Sequence, residues 1–184
     1  TSEEAVEAFE SACLQLTAPL TAFEWAGRTL HLPAGSRIPR AAFPDHDQVP
    51  LSDVLAAAKQ FLGAPYLWGG KSILGMDCSG LTQLAGALCG FDIPRDASQQ
   101  WAASKDHRAS WNELQHGDLV FFHKEDQDAV THVGLALDSG SGEWTVLHAS
   151  GEVRLDALTP DGIDHNGSLT HLWTGAAGWG VSAG

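Results

Sequence analysis

A chain of 184 residues, 43% hydrophobic and 18% charged, is long enough for one good-sized core and too apolar for disorder. Its formal net charge of −13, with only 10 Lys and Arg, excludes nucleic acid as a partner, because phosphate binding needs clustered positive charge. The same balance argues against electrostatic adhesion to anionic membranes or wall polymers, while a small soluble peptide remains compatible.

Ser2-Glu3-Glu4 followed by Ala5, Val6, Ala8 and Phe9 predicts a short amphipathic helix with acids in its first turn. After Pro19 come short apolar runs, with Thr29-Leu30-His31-Leu32 ending at the turn Pro33-Ala34-Gly35-Ser36, so residues 1–47 form a small, partly β segment. Pro44, Asp45, Asp47 and Pro50 mark a linker. Ser52 then caps a helix whose apolar face is Leu55, Ala58, Phe61 and Leu62, stopped by Gly63 and Pro65.

Next comes the Gly-rich loop Tyr66-Leu67-Trp68-Gly69-Gly70, leading to Met76-Asp77-Cys78-Ser79-Gly80. Leu81, Leu84, Ala85 and Leu88 recur with the period of a helix that buries one face, which predicts a helix over Cys78 to Leu88. Asp77 is its N-cap and Gly90 its stop, so Cys78 falls in the first turn. Unpaired N–H groups and the positive dipole end favour a thiolate there, which makes Cys78 the candidate nucleophile. Cys13 and Cys89 read as packing residues. Three cysteines without a C-x-x-C pair fit neither a disulfide framework nor a structural zinc site. Cys78 and Cys89 lie ~16 Å apart along that helix, too far for a disulfide.

Pro94-Arg95-Asp96 opens a short polar helix through Ala102. Strands follow at Leu119–Phe122, Thr131–Leu137, Trp144–His148 and around Glu152–Leu155, and helices before strands predict an α+β domain with an antiparallel sheet. If the hairpin is symmetric about Gly140, Leu137 opposes Glu143 and His132 opposes His148, with Cβ atoms roughly 5 Å apart. A facing pair suits one imidazole as base and the second as its orienter. His31, His46, His107, His116, His123, His165 and His171 have no such geometry and read as solvated or structural. A zinc site from Cys78, His132 and His148 is the competing arrangement, disfavoured because Asp77 and the helix start suit an isolated thiolate.

Tyr66-x-Trp68-Gly-Gly followed by Asp77-Cys78-Ser79-Gly80 resembles the active-site motif of the NlpC-type cysteine peptidases, papain-like enzymes that cut bacterial cell-wall peptides. The resemblance continues through Pro94-Arg95-Asp96, His116-Gly117-Asp118-Leu119, Thr131-His132-Val133-Gly134 and Leu147-His148-Ala149-Ser150, covering roughly residues 50 to 157. It implies a papain-like core with N-terminal helices packed on a central antiparallel β-sheet (residues 48–184), preceded by a small SH3-like β segment (residues 1–47). It also implies Cys78 as nucleophile, His132 as base, His148 as orienter and no cofactor or metal.

The fuller motif is most similar to the subgroup that hydrolyses the bond between γ-D-glutamate and a diamino acid, the dipeptidyl-peptidase VI type, releasing L-Ala-γ-D-Glu from stem peptides with a free N-terminal L-alanine. Asp77, Ser79 and Asp96 fall at positions that contact the dipeptide in that subgroup, and Tyr66 at its oxyanion side. Trp68 is either a wall of the groove or core. Ala97 replaces a serine that many relatives carry. The implied partners are peptidoglycan stem peptides or muropeptides, with no nucleic acid and no membrane span; recycling of free fragments in the bacterial cytoplasm is favoured over the cell envelope. Two other classes stand beside this reading: a papain-like amidase or acyltransferase using another acyl donor, and a non-catalytic wall-binding module.

Overall fold

The computed structural model describes residue 8 and residues 12–25, 27–39 and 51–180. The helix expected over Ser2 to Phe9 lies largely outside them, and the linker at residues 43–50 entirely so.

The N-terminal unit consists of β1 (Cys13–Gln15), β2 (Leu20–Trp25), β3 (Arg28–Pro33) and β4 (Arg37–Pro39), with β2 and β3 joined as a hairpin and β1 paired antiparallel with β4. Leu14, Leu16 and Ile38 bury one another, with Leu32 against them, in a small core of their own. Ala34, in the turn after β3, is buried in the main core, so this strand-rich segment packs on the larger domain.

The main domain begins with α1 (Val54–Lys59). Its cap is Asp53 rather than the predicted Ser52, because Asp53 Oδ1 accepts from the N–H groups of Leu55 (2.9 Å) and Ala56 (3.3 Å). Leu55, Ala58 and Phe61 are buried as the periodicity requires, whereas Leu62, in the turn beyond the helix, is 45% exposed. The two-residue strands β5 (Lys71–Ser72) and β6 (Gly75–Met76) pair across a turn and deliver the chain to α2 (Cys78–Leu88). The shorter α3 (Ala97–Ala103) follows. Buried Gln100 ties it to the start of α2: its Nε2 donates to the carbonyls of Ser79 (3.1 Å) and Pro94 (2.9 Å), and its Oε1 accepts from Thr82 Oγ1 (2.9 Å).

Six longer strands come after the two-residue β7 (Arg108–Ala109): β8 (Leu119–His123), β9 (His132–Asp138), β10 (Trp144–Ser150), β11 (Glu152–Thr159), β12 (Gly162–His165) and β13 (Ser168–Ala177). The first four continue one another antiparallel, as expected from the sequence. The last two lie beyond the predicted strands and change the architecture. Strand β12 pairs with both β11 and β13, and β13 returns to pair with β8, so β8 to β13 close into a ring with β7 added outside β13.

Closure gives the sheet two unlike faces, populated by alternate residues along each strand. Leu119, Phe121, Val133, Leu135, Leu147 and Ala149 face outward into a large core shared with Leu81, Leu84, Ala85 and Leu88 of α2. Val120, Phe122, Ala136, Val146, Leu158 and Ile163 fill the inside of the ring with Trp144 and Trp173. Helix α2 packs on β9 and β10, which brings the start of the helix against the start of β9. Among the described residues no helix is long and apolar enough to cross a membrane.

Candidate active site

Asp77 builds the helix start. Its Oδ1 accepts from Gly80 N–H (2.7 Å) as a cap, and its Oδ2 accepts from Gly69 N–H (2.7 Å), stapling the Gly-rich loop to α2. Arg95 closes the group with a two-pronged pairing, Nη1 to Oδ1 at 2.9 Å and Nη2 to Oδ2 at 2.6 Å, and its Nη1 also donates to Ser79 Oγ at 3.0 Å. Burial alone would raise the Asp77 pKa, but Arg95 and the two N–H donors outweigh it and hold the carboxyl below its usual value. Gly80 is required here because a Cβ would stand 2.3 Å from the Gly70 carbonyl oxygen.

Cys78 is therefore fixed in the first turn of α2, with all but 8% of its surface covered. Burial pushes its thiol pKa up; a hydrogen bond from the backbone N–H of Val133 pulls it down, the Asp77 charge adds to the rise, and the N–H groups of Ser79 and Cys78 itself lower it slightly. The net direction is upward. All three cysteines are free thiols.

His132 is the first residue of β9, just before the Val133 whose N–H reaches the sulfur. His132 Nε2 lies 2.7 Å from His148 Nδ1, with the rings edge-to-face and 5.0 Å between centroids. The hairpin register differs from the sequence expectation. The loop is centred on Ser141, pairing Leu137 with Thr145 and Leu135 with Leu147, so continuing the ladder puts His148 across from Gly134 and His132 across from Ser150. The displacement is two residues. Since a strand's faces alternate with period two, both rings stay on the inner face and meet diagonally. Gly134 makes this possible, because a Cβ there would stand 3.0 Å from the His148 Cβ and 2.5 Å from Val146 Cγ2.

Behind the pair stands a carboxylate that the sequence reading passed over. Asp156 of β11 is buried, and its Oδ2 receives His148 Nε2 (2.9 Å) and Arg154 Nε (3.0 Å), while Oδ1 lies 2.8 Å from His165 Nδ1. Burial would raise the Asp156 pKa, but these three partners hold it below its usual value. Both His148 nitrogens are thus engaged within the protein. The hairpin around Gly151 was the available signal: it sets Arg154 opposite His148 and Asp156 one diagonal step away.

His171 of β13 was likewise assigned no role from the sequence, yet its ring stacks on His132 with 4.1 Å between centroids at 25°. Burial, then the nearby His148 and Lys124, lower its pKa to about 4. Burial foremost, followed by His171, His148 and Arg154, holds His132 well below the ordinary imidazole value. Burial also lowers His148, against the opposing pull of Asp156. The stack is uncharged at neutral pH, and an uncharged His132 can accept a proton.

An open cavity of about 860 Å³ lies over these groups, lined on one side by Tyr66, Trp68, Asp77, Cys78, Ser79 and Asp96, and on the other by Lys124, Thr131, His132 and His171. His148 is fully buried behind it. Trp68 is 86% exposed, so of its two readings the core placement fails. Tyr66 is half-buried, and its hydroxyl pKa is raised by burial and then by the charges of Cys78 and Asp77. Asp96 occupies the N-cap position of α3 but makes no side-chain cap hydrogen bond, leaving an exposed carboxylate at the cavity.

A thiol in the first turn of a helix, met by an imidazole chain from a neighbouring antiparallel sheet, defines the papain-like class of site. The NlpC/P60 family model matches residues 63–168, more than half of the chain, and the chain belongs to that family. Among curated proteins it is 40% identical over 102 residues to a gamma-D-glutamyl-L-lysine dipeptidyl-peptidase of Bacillus subtilis, a match spanning 51% of this chain and 34% of that protein. It is 42% identical over 89 residues to a bifunctional muramidase/DL-endopeptidase of the same organism, spanning 47% of this chain and 26% of that one. The chain thus matches about a third or less of these relatives' length. Among solved structures, an NlpC/P60 family protein from Bacillus cereus superimposes with a TM-score of 0.68 over 94% of this chain and 66% of its own, at 23% identity, a likeness of fold.

Proposed function

We propose that this chain is a cysteine peptidase that hydrolyses the γ-D-glutamyl–diamino acid amide bond of peptidoglycan stem peptides, releasing L-Ala-γ-D-Glu from fragments with a free N-terminal L-alanine. The observation that carries the reading is the convergence of Cys78, His132 and the exposed Asp96 on one cavity. The naming of a 40%-identical relative as a gamma-D-glutamyl-L-lysine dipeptidyl-peptidase supports the choice of bond.

In the acylation step the Cys78 S–H proton passes to His132 as the sulfur adds to the amide carbonyl carbon. The resulting oxyanion is met by the Cys78 backbone N–H and the Tyr66 hydroxyl. Collapse of the intermediate breaks the C–N bond, and His132 returns the proton to the departing amine. Water, deprotonated by His132, then cleaves the thioester and frees the carboxylate and the thiol. Asp96 receives the free amine of the N-terminal alanine, and Trp68 walls the groove. Arg95 already engages Asp77 and Ser79, so these two shape the pocket floor around the dipeptide. In this reading the N-terminal strands are part of an SH3-like unit.

The deciding experiment incubates the protein with L-Ala-γ-D-Glu-meso-diaminopimelate, its α-linked isomer and its N-acetylated form, with products read by mass spectrometry. Release of L-Ala-γ-D-Glu from the first compound alone is the expected result. A protein whose Cys78 alkylates readily but which leaves all three peptides intact is an acyltransferase or amidase of another donor. One that binds the first peptide without turnover, its Cys78 unreactive, is a wall-binding module.

A further inference from the structure

We propose that Asp156 is a positioning residue that sets the direction of the two-imidazole chain, so that His132, on the same cavity as Cys78, keeps its Nδ1 bare as a proton acceptor. This rests on the reading of Cys78 and His132 as nucleophile and base, but not on the identity of the peptide.

A neutral imidazole carries one N–H and one bare nitrogen, and a hydrogen bond between two such rings requires that one donate and the other accept. The contact between His132 Nε2 and His148 Nδ1 at 2.7 Å is satisfied equally well in either sense. One sense leaves His132 Nδ1 bare; the other puts a hydrogen on it and destroys the base. Nothing within the histidine pair chooses between them.

Asp156 chooses. An ionised carboxylate only accepts, so at 2.9 Å His148 Nε2 must carry the hydrogen. His148 Nδ1 is then bare, His132 Nε2 donates to it, and His132 Nδ1 is left as the acceptor. The carboxylate is kept ionised, and its orientation fixed, by the other groups that face it: Arg154 Nε on Oδ2 at 3.0 Å and His165 Nδ1 on Oδ1 at 2.8 Å. Arg154 is itself anchored through its Nη1 to the Ser150 carbonyl. Two donors, His148 and Arg154, converge on the single oxygen Oδ2. An asparagine therefore places its carbonyl oxygen at that point and preserves the direction of the chain, whereas a leucine supplies no acceptor.

The test needs no peptide substrate. Rates of iodoacetamide alkylation at Cys78 are followed by peptide mapping in the unaltered protein, Asp156→Asn and Asp156→Leu, each checked for a native thermal transition. Asp156→Asn should alkylate within about tenfold of the unaltered protein, and Asp156→Leu at least ~10²-fold more slowly, the scale of a lost general base. A folded leucine variant that alkylates at the unaltered rate overturns the proposal, as does an asparagine variant as slow as the leucine one. Nitrogen-15 spectra of the unaltered protein give an answer even if the leucine variant fails to fold. His132 and His148 should both show the Nε2–H tautomer, and Nδ1–H on either ring overturns the assignment. Should the peptides of the preceding section prove inert while these results hold, the substrate reading fails and this one stands.

Discussion

The two faces of the ring are unequal in kind. Outside, Phe121, Val133, Leu135 and Leu147 meet α2 in an apolar layer, and the Cys78 thiol is delivered from that side. Inside, Val120, Phe122, Val146 and Ile163 give way at one end to His132, His148, Asp156 and His171. Cys78 is placed by local means: a cap, a helical turn and an Arg clamp within a short span of chain. The histidine pair is placed by non-local means, three strands in register and a glycine that leaves room. Damage to the outer side should remove the reacting atom and little else, whereas damage to the inner side should cost geometry and stability together.

The largest effect belongs to Cys78→Ala. Hydrolysis of the diaminopimelate peptide should fall by roughly 10⁴-fold or more, while peptide binding persists and the unfolding temperature stays close to that of the unaltered protein. An alanine variant that retains turnover would falsify the nucleophile assignment. Next is Gly134→Ala, whose added methyl would crowd Val146 and His148. Stability should drop by about 1–3 kcal/mol in urea titration, and kcat should fall more than KM rises, because His148 is displaced from His132. Equal loss in KM alone would mean that the inner face tolerates strain better than its packing implies.

Acid distinguishes the faces less dramatically. His132, His148 and His171 all have pKa values below the ordinary 6.5 in the folded chain, His171 at about 4. Unfolding therefore takes up protons in the window from pH 6.5 down towards 4, and stability falls as the pH falls through it. The acid limb of kcat/KM should correspondingly lie below pH 6.5. A limb at 6.5 or above, together with flat urea midpoints across that window, would contradict a buried, uncharged stack. The smallest effect is expected for Trp68→Ala. The exposed indole contributes less than ~0.5 kcal/mol to folding, so the change should appear as a higher KM with unaltered melting.

The same inequality explains what could be read from the sequence. Asp77, Cys78 and the stripe Leu81, Leu84, Ala85, Leu88 are a cap and a period, both written within a dozen residues, and α2 occupies the predicted span. Strands β8 to β10 are apolar runs bounded by turn residues, and they too lie where expected. The register of β9 on β10 was misjudged by two because a five-residue loop with glycines at 140 and 142 has no single obvious centre. An even error preserved the face, so the histidine pair survived it. Strand β13 was missed because Leu169, Leu172 and Trp173 fall on both parities and give no clean alternation. With it went His171, whose neighbour His132 is remote in sequence and reached only by closing the ring.

That closure has a consequence for how the molecule comes into being. The seam between β8 and β12 is filled by Ser168–Ala177, so the inner core cannot be sealed until this late stretch of chain has been made. During synthesis the thiol helix emerges well before the imidazole stack acquires its final member. The three rings that meet at the cavity therefore come together only after β13 has been added to the chain.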